Sequence, residues 1–289
     1  MKTEASPLRR LGVRYPIVAA PMLLISNPKL LQSVAESGAI AAIPSLNFRT
    51  HEEFREFLAS FPALPFGVNL VLKANTRLEV DLAAVVERQV PLVITSLGDP
   101  AEVIAAVHNY GGQVWCDVAT RRHGEKAATA GADLLVALGA GAGGHSGWLS
   151  PLVLGPWLKR ELGLPFAVAG GLATGAQLLA VLALGAEAGY FGTRFIASIE
   201  AGVASDYQAA LIRATPEDLE FTDEVSGIRG NFLKEGLERF RNEGAIPWKE
   251  VWSAGQGVAF IDSVLPVSKI IAQIIAEYEE AYRNLSNDF

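Results

Sequence analysis

A single cysteine, Cys116, stands among the 289 residues. No internal disulfide can form, and with no Cys or His at ligand spacing no zinc site is expected. Charged residues are scarce at 19%, and their balance is acidic, a formal −7 at neutral pH. That is the wrong sign for holding a phosphate backbone by counterion release, so no nucleic-acid partner is expected. Long apolar runs are missing as well. The longest, residues 178–184, falls far short of the roughly 20 residues that cross a bilayer. Residues 1–10 carry Glu4 and Pro7 with no apolar stretch behind them, unlike a secretory leader. No membrane partner and a reducing, cytoplasmic setting are therefore expected. No Pro/Ser-rich linker, charge block or low-complexity stretch divides the chain.

What the chain has instead is apolar residues, half of the total, enough to bury a large core. They fall into short runs bounded by turn residues, at 17–20, 39–43, 66–70, 92–96, 113–118, 134–138, 166–169 and 189–191. Eight strands are predicted, spaced by about 25 residues, room for one strand, one helix and two short loops per unit. Strands without a polar face imply a sheet covered on both sides, which is the parallel case.

The segments between carry helix signals. Asn27-Pro28 pairs an N-cap with the fixed φ that suits a first turn, and Asp99-Pro100 repeats the arrangement. Thr174 and Gln177 form a capping-box pair. Gly38, Gly111, Gly131 and Gly185 lie just past four such helices, where a left-handed residue is wanted. Periodicity alone fits both a (β/α)₈ TIM barrel and an open doubly wound sheet; an α/β barrel is expected, since eight consecutive units close most naturally. After residue 214 the pattern changes. Residues 215–251 are polar with short helical pieces, and residues 267–284 form an amphipathic helix. A barrel over 1–214 and a helical lid or appendage over 215–289 are expected.

Two glycine signals bear on chemistry. The runs ending at Ala169 and Phe191 lead into Gly170-Gly171 and Gly192-Thr193. In a barrel those last two turns are neighbours at the C-terminal mouth, where backbone N–H groups can hold a phosphate without Lys or Arg. The second signal is Gly139-Ala-Gly-Ala-Gly-Gly-His145-Ser-Gly147, after the sixth strand. Its start satisfies G-x-G-x-x-G, with Glu161 about 20 residues on. Gly147 and Pro151 interrupt the helix a dinucleotide site needs, so a small-residue loop that delivers His145 to a flat ligand is the better reading. Of four histidines, His51 and His123 fall near helix starts and His108 near a helix end, places of solvation or capping. His145 alone sits where an imidazole can take a proton from a ligand.

At this point the residues resemble a known family. Ala20-Pro21-Met22, Phe66-Gly-Val-Asn69, Ala142-Gly-Gly-His145-Ser-Gly147, Ala169-Gly-Gly171, Gly192-Thr193-Arg194-Phe195 and Trp252-Ser-Ala-Gly255 occur in order over almost the whole chain. Together they resemble the nitronate monooxygenases, formerly the 2-nitropropane dioxygenases. The resemblance implies a flavin-binding barrel that oxidises a nitroalkane or its nitronate to a carbonyl compound and nitrite, using FMN and O2. It implies Ala20, Pro21 and Met22 along the FMN ring, Asn69 and Asp117 at its edge, and Ala142, Gly143 and Gly144 in the loop carrying the base His145. It further implies Ala169, Gly170, Gly171, Gly192 and Thr193 around the phosphate. Two positions depart from the family pattern: Asp117, where Lys or Gln is frequent, and Gly141, where an acid is frequent. A carboxylate beside the flavin would disfavour its anionic reduced form. Strand alternation leaves open whether Trp115 and Asp117, or Val114, Cys116 and Val118, face inward.

Relatives of the same fold imply an alternative, an NAD(P)H-dependent reductase of enoyl-ACP or quinone type. A non-redox phosphate-binding barrel is a third reading, from another class. Met22, Leu23, Leu24, Trp148 and Leu149 are candidates for an apolar substrate pocket. The partners expected are a small-molecule substrate and O2, with a homo-oligomer compatible.

Overall fold

A computed structural model describes residues 6–73 and 75–287. Eight parallel strands, β1 (Ile17–Ala19), β2 (Ile40–Pro44), β3 (Gly67–Val71), β4 (Leu92–Ser96), β5 (Gln113–Val118), β6 (Leu134–Leu138), β7 (Phe166–Ala169) and β8 (Ala188–Phe191), form a closed barrel. Closure is made by β8 against β1, with Ile17, Val18 and Ala19 opposite Gly189, Tyr190 and Phe191. The open-sheet alternative is thereby removed.

The strands are largely apolar because each face meets protein. Alternate residues such as Ile17, Val68, Val114, Cys116 and Val168 pack outward in the large core beneath the helices. Their neighbours Val18, Ile40, Ile94, Trp115, Val136 and Tyr190 fill the interior. The phase of β5 follows: Trp115 belongs to the interior cluster, and alternation puts Asp117 on the same side, with Cys116 under the helices. The closed end is plugged by α1 (Pro7–Arg10), whose Leu8 joins the interior cluster and whose Pro7 carbonyl accepts a 2.9 Å bond from Gln113 Nε2.

The surrounding helices start and stop as their end residues dictate. α2 (Pro28–Glu36) is capped by Asn27, which accepts the Leu30 N–H at 3.0 Å. α3 (His51–Ser60), α4 (Leu78–Arg88), α5 (Ala101–His108), α6 (Arg121–Ala130) and α7 (Pro151–Leu162) follow their strands in turn. α8 (Gly175–Ala183) opens on the Thr174–Gln177 capping box. Gly38, Gly111, Gly131 and Gly185 all take positive φ, between 84° and 94°, the left-handed region that ends a helix.

Residues beyond 192 depart from the expected layout in two respects. Two short helices, α9 (Thr193–Ile196) and α10 (Ser205–Arg213), lead into an antiparallel hairpin, β9 (Leu219–Thr222) with β10 (Gly230–Leu233), and then α11 (Lys234–Glu243). The segment expected to hold only short helical pieces thus also holds a ribbon, whose strands are too short to announce themselves against the polar background. The last helix, α12 (Val267–Asn287), packs along α8 and against α2. It occupies the eighth place in the ring of helices, where the sequence reading put it in an appendage. Its docking is close: Gly175 donates its N–H to Glu277 at 2.7 Å, and a Cβ at Gly175 would collide with the α12 backbone. The chain between α9 and α12 is therefore an excursion between the last strand and the helix that belongs to it.

Candidate active site

A cavity of about 910 Å³ opens at the C-terminal ends of the strands. The candidate base and cofactor residues all line it: Ala20, Pro21, Met22, Asn69, Asp117, Ala142, Gly143, Gly144, His145, Ala169, Gly170, Gly171, Gly192 and Thr193; of the apolar substrate candidates Met22, Leu23 and Trp148 line it, and Leu24 and Leu149 do not. They come from β1, β3, β5, β6, β7 and β8 or the loops just after them, the face on which barrels of this class carry chemistry.

The loop after β1 is held rigid from below. Met22 N–H donates to Ser26 Oγ at 2.9 Å, and Asn47 Nδ2 donates to the Met22 and Ser26 carbonyls at 3.0 and 2.7 Å. Across the barrel, Asn69 Nδ2 donates to the Ile94 carbonyl at 3.1 Å and to Ser96 Oγ at 2.8 Å. Ser96 Oγ in turn donates to Asp117 Oδ2 at 2.7 Å. The other carboxyl oxygen, Asp117 Oδ1, and the Tyr190 hydroxyl are buried with no partner among the described residues. Burial with only the Ser96 bond in compensation pushes the Asp117 carboxyl up to about 7.

On the opposite wall lie the two final turns. Gly170 and Gly171 have φ of 138° and 75°, a path that strains any residue with a side chain. Gly192 is open: a Cβ there would meet nothing nearer than Ala20 Cβ and Met22 Sδ, both at 4.0 Å. Thr193 Oγ1 accepts the Gly255 N–H at 2.9 Å. Gly170, Gly171, Gly192 and Thr193 carry no charge of their own, so an anion held by them would rest on backbone dipoles.

His145 stands on the loop after β6. Its Nε2 lies 2.7 Å from Ser226 Oγ, and its ring meets Trp248 edge-on at 5.1 Å. Burial holds the imidazole below the usual histidine range. The excursion fixes the loop: Gly143 bridges to Asn231, whose Nδ2 donates to the Ala142 carbonyl at 2.7 Å and to Ser146 Oγ at 3.2 Å. The Trp252-Ser-Ala-Gly255 stretch continues into Gln256, whose N–H donates to the Gly141 carbonyl at 2.8 Å. A Cβ on Gly255 would lie 2.6 Å from that same carbonyl, so only glycine passes. Ser226, Trp248 and Asn231 carried no signal in the sequence, being single polar or aromatic residues in a polar segment.

Two of the other histidines serve elsewhere. His51 Nδ1 is 3.1 Å from buried Asp81, and His108 Nε2 is 2.9 Å from Asp133. His123 borders the cavity and accepts the Ala119 N–H at 3.4 Å. The mouth is cationic in spite of the net negative charge. Lys73, Arg122 and Arg229 line it without an ion pair among the described residues, Lys126 pairs with Asp99 at 3.0 Å, and Asp117 is the one carboxylate in the described lining. Among the described residues no cluster of acids, His and Cys could hold a metal, and no helix is long and apolar enough to cross a membrane.

The cavity fits a flavin on three counts. It has the volume of a cofactor pocket, a glycine-lined corner left open beside Gly192, and unpaired buried oxygens at its base.

Comparison with known proteins places this architecture. A nitronate monooxygenase of Paraburkholderia phytofirmans is 25% identical, with 95% of each chain covered. A (3aS,4S,5R,7aS)-5-hydroxy-7a-methyl-1-oxo-octahydro-1H-indene-4-carboxyl-CoA dehydrogenase of Rhodococcus jostii is 28% identical over 82% of this chain and 68% of its own. The solved structure of FabK from Thermotoga maritima superposes with a TM-score of 0.88 at 28% identity, covering 99% of this chain and 100% of that one. Residues 72–245 match the family described as nitronate monooxygenase, and with that match spanning more than half of its length, the chain belongs to the nitronate monooxygenase family of flavin oxidoreductases.

Proposed function

We propose that the chain uses FMN to oxidise alkyl nitronates and nitroalkanes to a carbonyl compound and nitrite, with O2 as the final oxidant. The observation that carries this reading is the position of His145, an imidazole kept below the usual histidine range by burial, on the loop facing a cavity with a glycine-lined corner. When bound, FMN would accept the substrate's electrons and pass them to O2. Gly170, Gly171, Gly192 and Thr193 would hold its phosphate, Ala20, Pro21 and Met22 would lie along its ring, Asn69 and Asp117 would meet its edge, and Ala169 would bound the floor.

The proton step belongs to His145. Ser226 Oγ has the Ile228 carbonyl at 3.4 Å as an acceptor, which leaves its lone pairs to receive an imidazole N–H at Nε2. Nδ1 is then the free base, suited to take the α-proton of a neutral nitroalkane. For a substrate that is already a nitronate the same ring, once protonated, balances the anion. Gly143 and Gly144 let the loop approach closely, and Trp248 fixes the ring plane. Trp148, 71% exposed, and Leu23 offer apolar surface to an alkyl chain.

A second reading rests on the cationic mouth. Lys73, Arg122 and Arg229 suit a substrate carrying a polyphosphate tail, such as a nicotinamide nucleotide or a CoA thioester, and one relative is named a carboxyl-CoA dehydrogenase. Purified protein mixed anaerobically with NADH or with propyl nitronate decides between them. Bleaching of the flavin bands by nitronate, with nitrite released in air, supports the monooxygenase; bleaching by NADH supports the reductase. Protein that stays colourless after adding FMN excludes both and returns the site to non-redox phosphate chemistry.

A further inference from the structure

Asp117 is unlike the molecule's other interior acids. Asp81, with no exposed side-chain surface, has His51 at 3.1 Å and Arg77 at 3.3 Å. Asp133 is met by Arg10 at 3.2 Å, His108 at 2.9 Å and the Val114 N–H at 2.8 Å. Asp117 has the Ser96 hydroxyl on Oδ2 and nothing on Oδ1. Ser96 Oγ is itself occupied as acceptor by Asn69 Nδ2, so its single proton goes to Asp117. The groups facing Asp117 are Asn69 from β3, Ser96 from β4 and Tyr190 from β8, with Val136 opposite on β6; Cys116 points outward. None is cationic.

Ionised, this half-buried side chain would carry a charge with its buried Oδ1 unmet and no counter-ion among the described residues, a state proteins avoid. Neutral, it has a proton to place. Oδ2 already accepts from Ser96, so the proton belongs on Oδ1, the unpartnered atom. The Tyr190 hydroxyl, buried and within electrostatic reach of Asp117, is a second O–H with no acceptor. Two unpaired donors in the interior of one barrel match a ligand that brings an acceptor, such as a ring carbonyl or an unprotonated ring nitrogen.

We propose that Asp117 is a neutral carboxylic acid which, with the Tyr190 hydroxyl, donates to an acceptor edge of the flavin, so that holding the cofactor depends on Asp117 keeping its proton. This rests on the flavin reading above and adds a positioning role specific to this chain. Loss of the proton to solvent turns the donor into an anion facing the electron-rich edge of the ring, which weakens binding and lowers the flavin's potential. Burial that pushes the carboxyl up to about 7 puts that loss near neutrality.

The test is FMN affinity of full-length apoprotein from about pH 5.5 to about pH 8.5, for wild type, Asp117→Asn, Asp117→Leu and Tyr190→Phe. One-proton linkage raises the wild-type Kd by up to about tenfold per pH unit above neutrality. FMN's own phosphate also titrates near pH 6, as phosphate monoesters do, so the readout is the difference between wild type and Asp117→Asn. The amide keeps a donor without an ionisable proton, and its Kd should lack the Asp117 component. Asp117→Leu should bind about three- to tenfold more weakly at the acid end, the range expected for one hydrogen bond, with Tyr190→Phe showing a similar loss. Infrared spectra of apoprotein give an independent reading: a protonated-carboxyl band at acid pH, fading through neutrality and absent from Asp117→Asn. Identical pH slopes in wild type and Asp117→Asn, or no such band, overturn the proposal while leaving the flavin reading intact. Failure of wild type to take up FMN at any pH sinks both.

Discussion

The two ends of the barrel are built from the same eight strands to opposite rules, and β5 shows both within a few residues. At the closed end Gln113 donates to the Pro7 carbonyl and accepts from Trp115 Nε1 at 3.3 Å, while Asp133 beside them has three partners. At the open end, Asp117 keeps an unpaired oxygen, as does Tyr190 two strand residues from its own β8 start. Leu24 there holds a φ of 62°, and Trp148 is largely exposed. The closed end contributes stability through packing and full hydrogen bonding. The mouth leaves donors, left-handed turns and apolar surface unmatched, which is the pattern of a surface meant to be completed by something bound.

The strongest way to separate the two ends is to remove one group from each. His145→Ala should lower turnover of neutral nitroalkanes by about 10²- to 10⁴-fold, the usual contribution of a general base, with a milder loss on nitronates. Its flavin spectrum and unfolding midpoint should stay near wild type. Nitrite release measured on both substrates checks this, and equal rates before and after the substitution would remove the base role. Trp115→Ala should do the reverse. It empties a fully buried site and should cost about 3 to 5 kcal/mol of stability by denaturant titration, while the surviving folded fraction keeps its activity per bound flavin.

Asp117→Asn should change stability with a sign that depends on pH. Burial pushes the native carboxyl up to about 7, above its unfolded value near 3.9. The folded state therefore retains a proton that the unfolded chain has already lost between those limits. Wild-type stability should fall as pH rises from about 4 to about 7 and stay lower beyond, by an amount on the order of 2 to 4 kcal/mol. Asp117→Asn should lack this decline, so the variant is relatively more stable at pH 8 than at pH 4. Parallel urea curves at both pH values read it directly; a wild-type contribution that rises with pH would show a carboxylate stabilised by a partner the geometry lacks.

The barrel was legible because its strands are buried on both faces and its helices end on glycines. Both facts are local, and composition records them. The place of His145 at the cavity was legible for the same reason, as an imidazole among glycines at the end of a strand. Other features needed the third dimension. Alternation along β5 gives two phases without choosing one, so the facing of Asp117 waited for Trp115 to be found in the interior cluster. Ser226, Trp248 and Asn231 reach His145 and its loop from about 80 to 100 residues away, and no spacing rule links them. The last helix reads from the sequence as part of an appendage; its docking on α8 and α2 puts it in the ring.

A smaller effect is expected from Gly192→Val. The backbone there has φ of −104°, and a Cβ would touch only atoms 4.0 Å away, so the fold should tolerate the change within about 1 kcal/mol. The added side chain would fill the corner assigned to the phosphate and should weaken FMN binding by at least about tenfold, equivalent to about 1.4 kcal/mol. Unaltered affinity by fluorescence titration would move the phosphate elsewhere.

The smallest effect belongs to the closed end and divides its charge from its hydrogen bonding. Asp133 accepts the Val114 N–H at 2.8 Å and faces Arg10 and His108, whose side chains are 48% and 40% exposed. Solvent screens both pairs, so Asp133→Asn, whose amide oxygen can still accept the backbone N–H, should lose about 0.5 to 1 kcal/mol. Much of that loss should vanish in high salt. Asp133→Ala leaves the N–H without an acceptor and should lose about 1 to 3 kcal/mol, a cost that salt does not relieve. If the two variants proved equally destabilised and equally salt-sensitive, charge would be holding this end. The contrast with Asp117, an acid set where neither charge nor hydrogen bonding is fully met, would then be one of electrostatics alone.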